Sequence, residues 1–171
     1  MRPSFAAVVY TPRSNGVGFL AAFAEERKKH GVRVAGLVQE KVLNDDGTYA
    51  GIDAVDVVTG ARSPIKRVPK HDYDKNACAL DASVLVGTSG VLRDAIKSKA
   101  ELIVFDKFGV EEQKGRGLSD EIMLAISDGI PFLISVPETA LEIWKERTGG
   151  MGGVLPVEVE ALERWWGGVS G

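Results

Sequence analysis

Residues 103–121, IVFDKFGVEEQKGRGLSDE, place an acidic residue, several cations and three glycines directly after an apolar run. Asp106 ends that run, and a carboxylate at the end of a buried strand is where P-loop proteins handle Mg²⁺. Asp106, Lys107 and Glu112 are therefore the candidate catalytic residues, and Asp106 is also the candidate Mg²⁺ ligand. A solvated loop with mixed charges explains the same residues, so both interpretations stay open.

The turn at residues 13–20, RSNGVGFL, is a second candidate, because it fills the frame of a phosphate-binding loop, G-x-x-x-x-G-K-[ST]. The amides of such a loop wrap phosphates, its lysine reaches them and its hydroxyl residue helps to hold Mg²⁺. Phe19 and Leu20 stand where the Lys and Ser/Thr belong, and Arg13 replaces the first glycine. A helix N-terminus after glycines still attracts an anion, but a tight strand-to-helix turn explains the same residues.

The two segments together give a predicted ligand-binding set. Its members are Arg13, Ser14, Asn15, Gly16, Gly18, Lys107, Gly109 and Arg116. In this hypothesis Lys107 and Arg116 neutralise an anion, while the amides at Gly16 and Gly18 cap it.

The elements that must position these residues alternate between strand-like and helix-like patterns. The alternation predicts an α/β three-layer sandwich with a mostly parallel sheet. Residues 101–106 and 130–136 are short continuous apolar runs, typical of strands that are buried on both faces. Residues 32–67 contain alternating patterns around an Asp-Gly turn, which predicts an inserted antiparallel β-meander. The chain, residues 1–171, is predicted to form one domain.

Three boundaries are also predicted. Asp81 is a plausible N-cap for the helix that follows it. Residues 107–117 read as a polar loop, and a later helix is predicted to begin with Pro137 near its first turn.

Composition excludes several classes of function. With 171 residues, a net charge of -3 and a pI near 5.5, the chain offers no electrostatic case for nucleic acid. The N-terminal apolar run is too short for a signal peptide or a membrane span, so no membrane insertion and a cytoplasmic location are expected. One cysteine excludes an internal disulfide and a cysteine-based zinc site.

Several segments carry a family resemblance: AAVVY, RVAGLVQ, DAVDVVTGAR, CALD and FDKFGVEEQKGRGL. The chain resembles a bacterial family of unknown activity, related to small P-loop nucleoside-triphosphatases and often encoded near molybdate ABC-transport genes. The resemblance implies a P-loop NTPase-like fold without an intact phosphate-loop lysine. It also implies a nucleotide with Mg²⁺ as candidate cofactors, and a small anionic ligand or a molybdate-related protein as candidate partners.

Three functions follow as hypotheses. The first is an NTPase-like protein with a degenerate loop that binds a nucleotide, an oxyanion or a partner in molybdate metabolism. The second is a metal-dependent nucleoside-triphosphate hydrolase with a non-standard site. The third is a non-catalytic regulatory interaction module.

Overall fold

A computed structural model describes residues 4–14, 16–67 and 89–170 of the chain. Its strands are β1 (Phe5–Tyr10), β2 (Val34–Leu43), β3 (Tyr49–Asp56), β4 (Arg62–Arg67), β5 (Leu102–Asp106), β6 (Phe132–Pro137) and β7 (Gly153–Pro156). Its helices are α1 (Phe19–Lys29), α2 (Ser89–Lys97), α3 (Val110–Gln113), α4 (Ser119–Ser127), α5 (Leu141–Arg147) and α6 (Val159–Ser170). A short 3₁₀ turn, Glu138–Ala140, precedes α5.

The strands described form one sheet in the order β4-β3-β2-β5-β6-β1-β7. Five of them, from β2 to β7 in this order, run parallel, while β3 and β4 extend the sheet as an antiparallel edge. The predicted fold class, a mostly parallel α/β sheet with an antiparallel meander, is confirmed. The carboxyl ends of β1, β5 and β6 consequently lie side by side, which is where ligands bind in open parallel sheets.

Apolar side chains cover both faces of the sheet. Along β5, Ile103 and Phe105 point into one buried cluster, and Leu102 and Val104 point into the other. The first cluster holds side chains of α2, α4 and α5, and the second holds side chains of α1 and α6. This explains why β5 is a continuous apolar run, since a central strand between two helix layers has no solvent-facing side.

Helix α1 starts directly behind the predicted loop. Gly18 caps it with a φ of 89°, a left-handed conformation that glycine adopts without a steric penalty. Leu20 and Phe23 pack into the buried cluster on one face of the sheet, and Phe19 packs against that cluster. Phe19 and Leu20, which occupy the lysine and hydroxyl positions of the phosphate-loop frame, therefore contribute to the core.

Two predicted boundaries differ from the structure. Residues 107–117 are not all loop, because the short helix α3 lies within them. Pro137 ends β6, and the 3₁₀ turn separates it from α5, because the parallel pairing of β6 with β1 continues to Pro137. The predicted cap Asp81 lies outside the described residues. In the described ranges, no helix combines the length and apolar character that a membrane crossing requires.

Candidate functional site

A cleft of about 240 Å³ opens where β1, β5 and β6 end. Its walls come from these strand ends, from the loop before α1 and from the middle of β2. The lining residues are Tyr10, Thr11, Pro12, Gly16, Val17, Gln39, Lys41, Asp106, Lys107 and Ser135. The described lining residues therefore include two lysines, one aspartate, a tyrosine, a serine, a threonine and a glutamine.

Asp106 is the central acidic group of the cleft. Its Oδ1 accepts a hydrogen bond of 2.6 Å from Ser135 Oγ, and its Oδ2 accepts one of 2.9 Å from the Gln39 backbone N–H. Both donors come from neighbouring strands, since β5 lies between β2 and β6. The carboxyl group is thus held in one orientation at the floor of the cleft.

Burial dominates the acidity of this group. It raises the pKa of Asp106 to about 6, although the hydrogen bonds from Ser135 and the Gln39 N–H, and the charge of Lys107, act to lower it. Burial, together with the negative charge of Asp106, also raises the pKa of Tyr10 to about 12. Tyr10 therefore keeps its phenolic proton at any physiological pH.

The raised pKa of Asp106 predicts a pH-dependent stability. The carboxyl group titrates near 3.8 when exposed and near 6 when folded, so the folded state holds the proton more tightly between these values. The resulting stabilisation is present below the lower value and is lost as the pH rises through the upper one. Relative to Asp106→Asn, the wild-type protein should lose up to about 3 kcal/mol of unfolding free energy between about pH 4 and pH 7. Urea unfolding of both proteins across this range measures it, and a pH-independent difference between them would contradict it.

Polar groups of the loop before α1 form hydrogen bonds with one another. Ser14 Oγ accepts a 2.7 Å hydrogen bond from the Thr11 N–H and donates one of 3.0 Å to the Thr11 carbonyl, which closes a turn. Gly16 packs against Tyr10, since an added Cβ would lie 3.1 Å from Tyr10 Cβ. Arg13 is exposed and is not a lining residue of the cleft.

The segment after Asp106 is built around a buried glutamate. Glu112 Oε1 accepts a hydrogen bond from the Gly109 N–H, and Oε2 accepts one from the Leu118 N–H, each at 3.0 Å. Arg147 of α5 donates to the carbonyl oxygens of Glu112 and Gln113, at 3.0 and 2.7 Å. These bonds fix the path of the chain from Lys107 to α4.

Phe108 anchors the other end of this segment. Its side chain is fully buried, with its ring edge-to-face on Trp144 at a centroid distance of 5.3 Å. Its N–H donates to the Ser135 carbonyl at 2.9 Å. Lys107 therefore stands between two fixed residues, Asp106 and Phe108, with its side chain at the cleft.

The structure brings together only part of the predicted set. Gly16, Asp106 and Lys107 line the cleft. The predicted residues outside its lining are Arg13, Ser14, Gly18, Gly109, Glu112 and Arg116. Arg116 is exposed and pairs with Glu111 at 3.1 Å, and Asn15 lies outside the described residues. Ligand contacts by any of these residues stay a prediction.

Five polar lining residues were not predicted: Tyr10, Thr11, Gln39, Lys41 and Ser135. Tyr10 and Ser135 lie at or near the carboxyl ends of β1 and β6. Ligands bind at the carboxyl ends of parallel strands, so this rule, applied to β1 and β6, could have identified both residues. Gln39 and Lys41 lie within β2, which continues past the end of β5 to pair with β3. No sequence signal indicates that overhang.

A family model with the description "Protein of unknown function (DUF2478)" matches residues 5–165. The chain belongs to the DUF2478 family. This match confirms the predicted family of NTPase-like proteins of unknown activity.

A curated relative is similar over nearly the same length. "Molybdenum import ATP-binding protein ModC 2" of Bradyrhizobium diazoefficiens is 38% identical over 161 residues, which are 94% of this chain. The chain spans only 18% of the length of that protein. The DUF2478 chain thus corresponds to one region of a much longer relative.

A solved structure shares the fold. THEP1 from the hyperthermophile Aquifex aeolicus superposes with a TM-score of 0.64, covering 91% of each chain at 14% identity. At that identity the similarity establishes the shared fold alone.

Proposed function

We propose that this DUF2478 protein binds a small anionic ligand in the cleft at the ends of β1, β5 and β6. The observation that carries the proposal is the presence of two lysines, Lys41 and Lys107, in the walls of the same cleft as Gly16. In this interpretation the cationic groups come from the sheet, and the loop before α1 contributes backbone only.

The local structure argues against efficient hydrolysis by the usual P-loop route. Leu20 is buried in the core, and the partly buried Phe19 packs against the same cluster. Neither side chain can supply the charge or the Mg²⁺-binding hydroxyl of an intact loop. Loss of one charge-stabilising donor typically costs about 10²–10³ in rate.

The proposed setting is molybdenum import. The name of the curated relative, an ATP-binding protein of molybdenum import, supports this setting. A region related to the DUF2478 chain forms part of that longer polypeptide. We therefore propose that the chain acts on an anion of this process or beside a protein of the import system. Deletion of its gene should lower the cellular molybdenum content when molybdate is scarce.

The binding proposal predicts a calorimetric result. Titration of the purified protein with ATP, GTP and molybdate should give heat with at least one of them. Lys107→Met should weaken that binding at least about ten-fold, because a charge-assisted hydrogen bond is lost. Lys114→Met is the matched control, since Lys114 is exposed in the same segment but is not a lining residue. The absence of heat with all three ligands would refute the proposal.

One observation favours the hydrolase as a second candidate. Asp106 ends β5 inside the cleft, in the place where P-loop enzymes keep a carboxylate for Mg²⁺. Among the described residues, however, no group of three or more His, Cys, Asp or Glu side chains could hold a metal ion. This candidate requires Mg²⁺-dependent phosphate release above background that Asp106→Asn abolishes.

A further inference from the structure

Ser135 is a polar exception in an apolar strand. The residues of β6 from Phe132 to Val136 are buried, and all of them except Ser135 are apolar. Their side chains point into the two buried clusters on either face of the sheet. A hydroxyl group in such surroundings is unfavourable unless it has a hydrogen-bond partner. The presence of Ser135 is therefore explained by the group that it contacts.

The alignment of the strands gives Ser135 its partner. Parallel pairing of β5 with β6 places Asp106 directly beside Ser135, and the hydroxyl donates to Asp106 Oδ1 at 2.6 Å. The other carboxyl oxygen, Oδ2, accepts from the Gln39 N–H at 2.9 Å. Each oxygen of the carboxyl group thus has one donor, and both donors belong to the sheet.

Lys107, the next residue along the chain, is not one of these donors. Its side chain is partly buried at the cleft, yet with the described residues its ammonium group makes no hydrogen bond and no ion pair. Its charge nevertheless acts to lower the pKa of Asp106, so the two groups lie within electrostatic reach. Opposite charges attract strongly in partly buried surroundings, and the lack of an ion pair between them needs an explanation. The donors from Ser135 and Gln39 provide it, because they hold both carboxylate oxygens in fixed directions.

We propose that Ser135 is a positioning residue of the anion site: its hydroxyl keeps the Asp106 carboxylate out of an ion pair with Lys107, so that the Lys107 ammonium group stays available to a ligand. This inference rests on the proposed anion-binding function, in which Lys107 is a cationic group of the cleft. Without the hydroxyl, Asp106 Oδ1 would be a buried acceptor without a donor, which is unfavourable. Lys107 is then the charged donor within reach, and its ion pair with Asp106 would compete with any anionic ligand.

The test is calorimetry on the full chain at pH 8 without Mg²⁺, with ATP, GTP and sodium molybdate as probes. Asp106 is ionised at this pH, since its pKa is about 6. Ser135→Ala should weaken binding of the tightest probe at least about five-fold, although it removes no charge. Ser135→Thr keeps the hydroxyl donor and should bind within about two-fold of the wild type. Ser119→Ala is the matched control and should leave binding unchanged, since Ser119 is equally buried but is not a lining residue.

A double-mutant comparison distinguishes positioning from a general structural role. In the Asp106→Asn background the charge that would pair with Lys107 is absent, so Ser135→Ala should cause no further weakening there. A purely structural role of Ser135 would weaken binding equally in both backgrounds. Thermal melts establish that each variant is folded. If Ser135→Ala does not fold, Ser135→Cys replaces it in the comparison, because a thiol has a similar size and is only a weak donor.

The outcomes separate the inference from the proposed function. Unchanged binding in Ser135→Ala, or the same weakening in the Asp106→Asn background, would overturn the inference. In both cases binding by the wild type and its loss in Lys107→Met would leave the proposed function intact. A wild-type protein that binds none of the three probes would refute the proposed function and the inference together.

Discussion

The Gly36→Ala variant is expected to lose at least about 4 kcal/mol of unfolding free energy, a loss seen only when a substitution meets a severe structural conflict. Gly36 lies on β2 directly opposite Val104 of β5, with a φ of 129°. A Cβ at this position would overlap the Val104 carbonyl oxygen. That oxygen belongs to the backbone of a strand paired on both sides, so it has little freedom to move.

A second glycine separates the two causes of this loss. Gly31 also has a positive φ, 83°, but an added Cβ there would meet no atom within 4 Å. Gly31→Ala should therefore lose only about 1–2 kcal/mol, the cost of the left-handed conformation alone. Urea unfolding of the two variants measures the difference. Equal losses in both would show that the close approach of β2 to β5 is not a constraint.

The same close approach positions the candidate site. It holds β2 against β5, so that the Gln39 N–H reaches Asp106 and Lys41 enters the wall of the cleft. A folded Gly36→Ala protein should accordingly also bind the anionic ligand of the proposed function less tightly. The requirement for glycine at position 36 thus affects both the packing of β2 against β5 and the positions of the residues that line the cleft.

Much of the fold could be predicted from local patterns. The apolar runs at residues 101–106 and 130–136 identify strands buried on both faces, and the Asp-Gly turn after residue 44 indicates the antiparallel extension. These signals are short-range, and the sheet confirms the fold class that they predict. Because ligands bind at the carboxyl ends of parallel strands, the sequence also predicted a site at Asp106 and Lys107, and both residues line the cleft.

The remaining part of the site depends on contacts between distant segments. Lys41 lines the cleft because β2 extends beyond the last residue of β5 with which it pairs. The length of this extension depends on how the two strands are aligned, which neither strand's sequence shows alone. Glu112 and Arg116 looked alike in sequence as charges near glycines. The structure distinguishes them. Glu112 is buried and accepts hydrogen bonds from two backbone N–H groups, whereas Arg116 is exposed and pairs with Glu111.

Gly117, in the segment after Asp106, has a structural explanation that the sequence did not reveal. A Cβ at Gly117 would overlap Glu112 Oε2, so residue 117 must be small for the carboxylate to reach the Leu118 N–H. The combination of Glu112 and Gly117 is therefore explained by packing, since a larger residue at position 117 would displace the carboxylate. Glu112 and Gly117 therefore contribute to the packing of this segment from outside the cleft.

The Glu112→Ala variant is expected to lose about 1–3 kcal/mol of unfolding free energy, because the Leu118 N–H loses its acceptor and the Gly109 N–H keeps only the Lys107 carbonyl. The Leu118 N–H is buried, and the Gly109 N–H is partly buried. Glu112→Gln keeps one acceptor oxygen and should lose about half as much. Glu111→Gln is the matched control, since Glu111 pairs with the exposed Arg116, and such surface pairs contribute less than about 1 kcal/mol.

The effect of Glu112 on binding should follow its effect on structure. Glu112 is not a lining residue of the cleft, but it fixes the Gly109 N–H two residues after Lys107. If the segment loosens, Lys107 samples more positions and contributes less to holding an anion. Calorimetry with molybdate should therefore rank the affinities as wild type and Glu111→Gln, then Glu112→Gln, then Glu112→Ala. A Glu112→Ala protein that is destabilised but binds as tightly as the wild type would show that Lys107 is positioned by Asp106 and Phe108 alone.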